Sequence, residues 1–398
     1  METGGTQVAL AKLGPVHVLA LAAAGVAIGE WIRKRVPALE RLSIPASIIG
    51  GLLFAVVILG LHGRVVDVQV DATLRDVFLL GVFTIIGLNA SLRVIRVGGL
   101  QVALLLLVAS IGAVVQNAVG MSLAKLFGLN PLIGMLAGAV SLAGGPATSI
   151  AFGATFEQAG VRNAATIALA SATFGITVSG LLAGTVGAWL IRRRGLRPTA
   201  NETNPIPVPS AAPAGDLALH IAVIALAMGL GNLISQGIER LGFVLPGYIG
   251  AMIAAALIRN LSDWTRSGPQ LSQSTLSALF DAGLPLFIVM AMLTLRLWEL
   301  AALAAPMLVI LAVQVAVAWL LSIAAFAALG RDFDAAVTAT GHCGFMLGIT
   351  ANALATMGEL TRRYGPSPRA FIVVPIVGAF LIDFTNSLII TATLNIVR

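Results

Sequence analysis

At 398 residues, with 58% hydrophobic and only 10% charged side chains, the chain lies far from the roughly 25% charged composition of soluble globular proteins. That balance excludes an ordinary soluble enzyme or binding domain. The formal net charge of +7 sits in short basic loops beside apolar runs, which is a membrane-topology pattern rather than a nucleic-acid footprint, so no nucleic-acid partner is expected.

Uncharged runs recur at 42–63, 97–124, 126–156, 163–191, 217–238, 300–330 and 370–382, and several are long enough to span a bilayer as helices. Taken in order, the expected segments are Pro15 to Glu30, Ile44 to Leu61, Leu74 to Leu92 and Gly98 to Ala124. Leu132 to Ala154 follows, interrupted by GGPATS at Gly144 to Ser149, and then Ala164 to Ile191. Gly195 to Gly215 breaks the pattern with five prolines and no apolar periodicity, as a linker between units does. Beyond it lie Leu217 to Ile238, Pro246 to Ile258, Leu271 to Leu295, Ala301 to Leu329 and Ala370 to Leu394. One cysteine, Cys343, allows no intrachain disulfide and no cysteine-built metal site. Met1 to Gly14 lacks the basic region joined to an apolar core that marks a cleavable signal.

The stretch Gly341 to Thr350, GHCGFMLGIT, stands apart. It lies in a charge-free run from Ala335 to Gly358, yet Gly341, Gly344 and Gly348 are each about 1 kcal/mol worse than alanine in a helix. Irregular backbone at membrane depth is tolerated only where it is buried in protein or lines a polar cavity. The run therefore reads as a re-entrant hairpin, the kind of element on which transporters build substrate and ion sites.

The two halves look alike. ERL precedes a proline at Glu40 to Leu42 and again at Glu239 to Leu241. GGPATS at 144–149 parallels GFMLGIT at 344–350, and SATFGI at 171–176 parallels VGAFLI at 377–382, all about 200 residues apart. The reading is an all-α polytopic membrane protein. It has an N-terminal repeat at 1–194, a cytoplasmic Pro-rich linker at 195–215 and a C-terminal repeat at 216–398. Each repeat contributes five spans and one re-entrant hairpin, about ten transmembrane helices and two re-entrant loops in all. An odd number of spans inverts the second half. With both termini outside, the cytoplasmic loops hold 16 of the 24 Lys and Arg residues, in accord with the positive-inside rule. Two inverted halves with opposed hairpins describe a secondary transporter.

Long ordered stretches carry a family resemblance. TIIGLNASL (84–92), VVQNAVGM (114–121), GLNPLIGMLAGAVSLAGG (128–145) and ATFGI (172–176) lie in the first half. TLRLWELAALAAPMLVILAVQ (294–314), DAAVTATGHCGF (334–345) and RYGPSPRAFIVVPIVGAFLIDFTNS (363–387) lie in the second. The chain resembles the bacterial sodium/glutamate symporters over nearly its whole length. The resemblance implies sodium-coupled import of L-glutamate by alternating access, with sodium as the co-transported ion. It also implies an elevator-like movement and a homodimer in the bacterial inner membrane. Two departures stand at the loops: the first usually continues as GGHGTG and here reads GGPATS, with Pro146 for a histidine. The second usually reads GFGLGATPTA and here reads GFMLGITANA, with Met346 for a glycine and Asn352 near the usual proline. A same-fold carrier of another small anion, a dicarboxylate or hydroxy acid, is the alternative that these departures leave open; an ion channel is a third.

Among single residues, Asp383 is the sharpest, because an ionised carboxylate inside a span is costly and is usually paired or functional. Asn386 follows at i+3 on the same face, and a carboxylate with an amide oxygen suits a hard cation. The resemblance places both in the family's IDxxN element. A helix-packing acid is the plainer reading. Thr173 and Thr177, one turn apart, and Asn117 complete the expected sodium set. For substrate, Gly144, Gly145, Thr148 and Ser149 on the first loop and Gly344, Gly348, Thr350 and Asn352 on the second offer close backbone approach and hydrogen-bonding groups, against a plain small-residue packing seam. Asn89 matches a family motif and is equally balanced between path lining and helix packing. Gln116 is assigned to interhelical hydrogen bonding, His342 and Cys343 to packing, and Arg296, Arg362 and Arg369 to the membrane interface. No motif for catalysis or nucleotide hydrolysis stands out.

Overall fold

The computed structural model describes residues 9–41, 44–61, 66–198, 217–243, 245–265, 271–295 and 304–397. Most of the proline-rich linker and Arg296 lie outside these. Helix α1 (Pro15–Arg35) opens on a proline, which fits a first turn because its missing N–H has no partner there, and ends on Arg33, Lys34 and Arg35. A short α2 (Pro37–Arg41), α3 (Ala46–Leu61), α4 (Thr73–Asn89) and α5 (Leu92–Leu126) follow. α6 (Pro131–Leu136) and α7 (Gly145–Gln158) flank a turn-rich stretch at 137–144, and α8 (Ala164–Arg194) ends the first half. The second half holds α9 (Leu217–Glu239), α10 (Gly247–Thr265), α11 (Gln273–Met292) and α12 (Ala304–Ala328). Then come α13 (Phe333–Leu347), α14 (Thr350–Tyr364) and α15 (Pro368–Ile376). α15 runs through a π-helical turn, Val377–Leu381, into α16 (Ile382–Val397).

Among the described residues, seven helices are long and apolar enough to cross a membrane, so the chain is a polytopic helical membrane protein. α3 is apolar but has only 16 residues, about 24 Å of rise against a hydrocarbon core of about 30 Å. α13 and α14, at 15 residues each, are similarly short.

Three expectations are amended. The chain is not purely helical: β1 (Ala9–Leu13) pairs in parallel with β2 (Val66–Val70), Ala9 opposite Val66 and Leu13 opposite Val70. The Asp71 backbone N–H then donates to the Leu13 carbonyl at 3.0 Å. The Asp71 carboxylate accepts the Thr73 N–H at 2.8 Å, and its hydrogen bonds to Thr73 hold its pKa below the ordinary carboxylate value. Second, Gly341 and Gly344 do not break the helix; they lie within α13, and the break falls at Gly348 and Ile349. The reason is packing, since a Cβ on Gly344 would stand 2.5 Å from the Ala353 Cα. Third, Arg369 is more than an interface residue: its guanidinium binds both carboxylate oxygens of Asp332 and lies 3.6 Å from Asp334. Asp332 also accepts the Ala335 N–H at the start of α13, so the pair staples the start of α15 to the base of α13.

The helices form two groups. α1, α3, α4, α9, α10 and α11 pack on one another, and α5 to α8 with α12 to α16 form the second group. Between them lie mainly apolar and aromatic contacts: Tyr248 of α10 meets Phe152 of α7 edge-on at 5.4 Å, and Phe280 of α11 meets Phe380 of the π-helical turn at 5.6 Å. The connection from α4 to α5 is gripped by α10. There the Asn260 amide donates to the Ala90 carbonyl at 2.8 Å and its oxygen accepts the Leu92 N–H at 2.8 Å. Ser91 donates to Asp263 at 2.6 Å. Beyond that grip Gly99, at φ 68°, interrupts α5.

Within the first group, backbones touch through glycine. A Cβ on Gly50 of α3 would lie 1.8 Å from the Gly25 carbonyl of α1, and one on Gly231 of α9 would lie 2.1 Å from the Ala251 Cα of α10. Close approach of this kind is how membrane helices gain van der Waals contact without a hydrophobic driving force. Gly50→Ala and Gly231→Ala should each lower the thermal midpoint in detergent by several degrees, because overpacking costs about 1–3 kcal/mol. Gly60→Ala, which meets open space, should leave it unchanged.

Candidate functional site

The two interruptions meet. A Cβ on Gly145 would lie 3.4 Å from Ile349 and 3.9 Å from the Gly348 carbonyl, so the start of α7 and the start of α14 come together deep in the second group. Gly145 has φ 64°, a left-handed conformation that glycine adopts without the Cβ clash other residues carry. Pro146 occupies the first turn of α7. Neither helix has a side-chain cap at its N-terminus, so the first-turn amides and the positive ends of both dipoles gather at one place. That arrangement favours negative charge.

The polar groups around the junction divide into those that brace it and those that remain open. Asn352 is fully buried and donates through Nδ2 to the Ile176 carbonyl at 2.7 Å and to Ser179 Oγ at 2.6 Å, tying α14 to α8. Its Oδ1 has no partner. Thr350 donates to the Gly378 carbonyl in the π-helical turn. Gly348 lies against Ser179, where a Cβ would be 2.4 Å from Oγ. Ser149 donates to the Gly145 carbonyl at 2.7 Å, bracing the start of α7, and Thr148 is buried beside Gly144. Gly344 is taken up in the packing of α13 on α14.

On the other flank, Asn386 is buried and donates to the Ala139 carbonyl in the turn-rich stretch at 2.9 Å, leaving Oδ1 unpaired. Ser387 Oγ and both amide atoms of Asn117 are buried without partners. Asp383, partly buried at the start of α16, makes no hydrogen bond or ion pair among the described residues. Buried polar atoms left unpaired carry a desolvation penalty of about 1–3 kcal/mol each, and groups of them mark places built for a polar or charged guest. Thr173 and Thr177 return their hydroxyls to Leu169 and Thr173 carbonyls at 2.8 and 2.9 Å, and share a face of α8 with Leu169 by helical spacing. Asn89 lies apart, in the first group, bonded to the Ile85 carbonyl at 2.9 Å and to Gln273.

Gln116 makes the expected interhelical bond, donating to the Met346 carbonyl at 3.0 Å. Its own carbonyl accepts from Gln314 at 2.7 Å, a residue that sequence reasoning missed although it lies about 200 positions from Gln116. His342 and Cys343 are fully buried, with His342 Nδ1 2.9 Å from Ser322 Oγ. The π-helical turn was also missed. Its signal is Pro375 inside α15, which removes a backbone donor, and such turns are frequent at functional sites.

The chain matches the family model described as sodium/glutamate symporter over residues 11–366. It is 38% identical to the sodium/glutamate symporter of Escherichia coli (strain K12) over 395 residues, 95% of this chain and 96% of that one. It is 34% identical to the sodium/glutamate symporter of Haemophilus influenzae over 400 residues, 96% and 97% of the two chains. Among solved structures it is similar to a sodium/proton antiporter of Methanocaldococcus jannaschii, at 15% identity and a TM-score of 0.44, over 96% of this chain and 98% of that one.

If Asn352 fastens the second interruption, the near-isosteric Asn352→Leu should cost about 1–3 kcal/mol by removing two buried hydrogen bonds. The check is the thermal midpoint of the purified protein, which should fall by several degrees.

Proposed function

The chain belongs to the sodium/glutamate symporter family, and on that premise we propose how its parts couple the entry of L-glutamate to the entry of sodium. The observation that carries the reading is the junction at Gly145 and Gly348, where two uncapped helix N-termini converge on one point. In a chain without an arginine deep in any span, these dipole ends are the feature best suited to hold an anionic substrate.

We assign the substrate to this junction, with the backbone at Gly144, Gly145 and Gly348 and the free Oδ1 of Asn352 as contacts. Thr148, Ser149 and Thr350 shape its walls, and Gly344 supports them through the packing of α13 on α14. We assign sodium to the oxygens of Asp383, Asn386 and Asn117, with Thr173 and Thr177 of α8 completing the set. Hard cations take oxygen ligands of this kind. A sodium ion beside Asp383 cancels a buried charge that is otherwise costly in the bilayer, which links ion binding to a stable closed site. One sodium per glutamate anion moves no net charge. Each further sodium adds about 2.3 kcal/mol of drive per 100 mV of membrane potential.

The inverted repeat is supported by the packing. α1 lies on α3 as α9 lies on α10, and α3 lies on α11 as α10 lies on α4. The pairs α6–α7 and α13–α14 take the roles of two opposed re-entrant hairpins. In this proposal the first helix group is the scaffold, and the second, which holds both hairpins, slides past it across the aromatic and apolar seam. We place a second copy against the exposed leucines of α9, Leu226, Leu230 and Leu233, as a homodimer. The protein sits in the bacterial inner membrane with both termini and the β1–β2 ribbon on the periplasmic side and the linker in the cytoplasm.

The test is uptake of labelled L-glutamate into proteoliposomes with and without an inward sodium gradient. Accumulation should require sodium, and Asp383→Asn should abolish it or raise the half-activating sodium concentration at least tenfold. Uptake indifferent to sodium overturns the coupling. Uptake of dicarboxylates in place of glutamate overturns the substrate assignment and favours the role of Pro146 in the altered first loop.

A further inference from the structure

A second cavity lies away from the junction. It holds about 730 Å³ between α4, α10 and α11 of the first group and α7 and α8 of the second, at the end of the molecule that carries β1 and β2. The floor is apolar: Ile150, Phe287 and Ala291 line it and belong to one buried cluster, against which Ala147 and Ile349 from the junction also pack. The same apolar cluster thus forms the floor of the cavity and packs against the junction.

The walls carry charge of both signs, Arg75, Asp76, Glu157 and Arg162. Arg75 is engaged by Asp76 at 2.8 Å. Arg162 makes no hydrogen bond or ion pair among the described residues. It sits on the tight turn between α7 and α8, held by Gly160 at φ 94° and Asn163 at φ 54°, with Val161 buried beside it. The turn thus fixes an unpaired cation on the rim. Tyr248, 5% exposed, also lines the cavity.

We propose that this cavity is an outer docking site for an acidic α-amino acid, with a carboxylate on Arg162 and the ammonium on the acidic wall of Asp76 and Glu157. The inference rests on the transport reading above and adds a station before the junction. A cleft lined by both signs suits a zwitterion carrying an extra carboxylate better than it suits a plain dicarboxylate. A fixed rim charge concentrates anions at the mouth and accelerates their capture, an effect that fades as salt screens it.

The experiment compares wild type, Arg162→Gln and Arg162→Lys in proteoliposomes, measuring initial rates of L-glutamate influx at the face bearing the cavity, at low and at physiological ionic strength. Arg162→Gln should raise KM about fivefold, within the range of electrostatic steering. It should leave Vmax within twofold and sodium activation unchanged, and flatten the dependence of KM on ionic strength. Arg162→Lys should stay near wild type, since a point charge is enough. KM for efflux started from the opposite face should be the same in all three. A transporting wild type with an unchanged Arg162→Gln KM, or an equal loss at both faces with shifted sodium activation, overturns the docking site alone. A wild type that takes up no L-glutamate overturns the functional reading and the docking site with it.

Discussion

The architecture depends on how the break at Gly348 and Ile349 is held. A helix that stops short within a membrane protein leaves backbone amides with no lipid or bulk water to satisfy them. Here the break is fastened on two sides, by Asn352 on the Ile176 carbonyl and Ser179 of α8 and by Thr350 on the Gly378 carbonyl of the π-helical turn. α8 and the α15–α16 segment therefore act as splints. Their own irregularity, the π turn beside Pro375, follows from the need to present a carbonyl to Thr350 while continuing into the helix that carries Asp383 and Asn386. In the proposed assignment, the substrate junction and the ion oxygens are braced by the same elements, which ties occupancy of one to the geometry of the other.

Polar interactions are distributed unevenly, and the distribution fits a moving part. Inside the second group, buried amides cross from helix to helix, as with Gln116 on Met346 and Gln314 on Gln116. These make a rigid body. The seam between the groups is mostly aromatic rings and aliphatic side chains, whose contacts are weakly directional and lose little when they slide. Directional bonds return where α10 grips the α4–α5 connection, and only past that grip does Gly99 free the chain. In the proposed sliding movement, this grip followed by the interruption at Gly99 puts the pivot on α5.

Much of this was legible in the sequence. Apolar runs gave most of the helices, because bilayer spanning imposes a length that composition alone can meet. Asp383 and Asn386 stood out because a carboxylate in an apolar run needs a reason. Other features were hidden for physical causes. Gly341 and Gly344 were read as breaks, since low helix propensity and permission for close approach look identical in a sequence; packing of α13 on α14 decided for the second. The ribbon of ALAKL and VDVQV was overlooked because five-residue strands carry little periodicity. Arg162 and its cavity could not be read at all, because their walls come from helices far apart in the chain.

The ribbon has a practical side. β1 is fastened along its length to β2, and Asp71, which follows β2, bonds both Leu13 and the first turn of α4. Arg75, one turn further on, forms part of the cavity wall. Mechanical load on the front of the chain is therefore transmitted to the wall of that cavity. An affinity handle or fluorescent fusion ahead of Ala9 pulls on that path, whereas one behind Val397 extends from the end of α16, which is no part of the ribbon. For labelling, immobilisation or single-molecule work, the rear of the chain is the quieter attachment point.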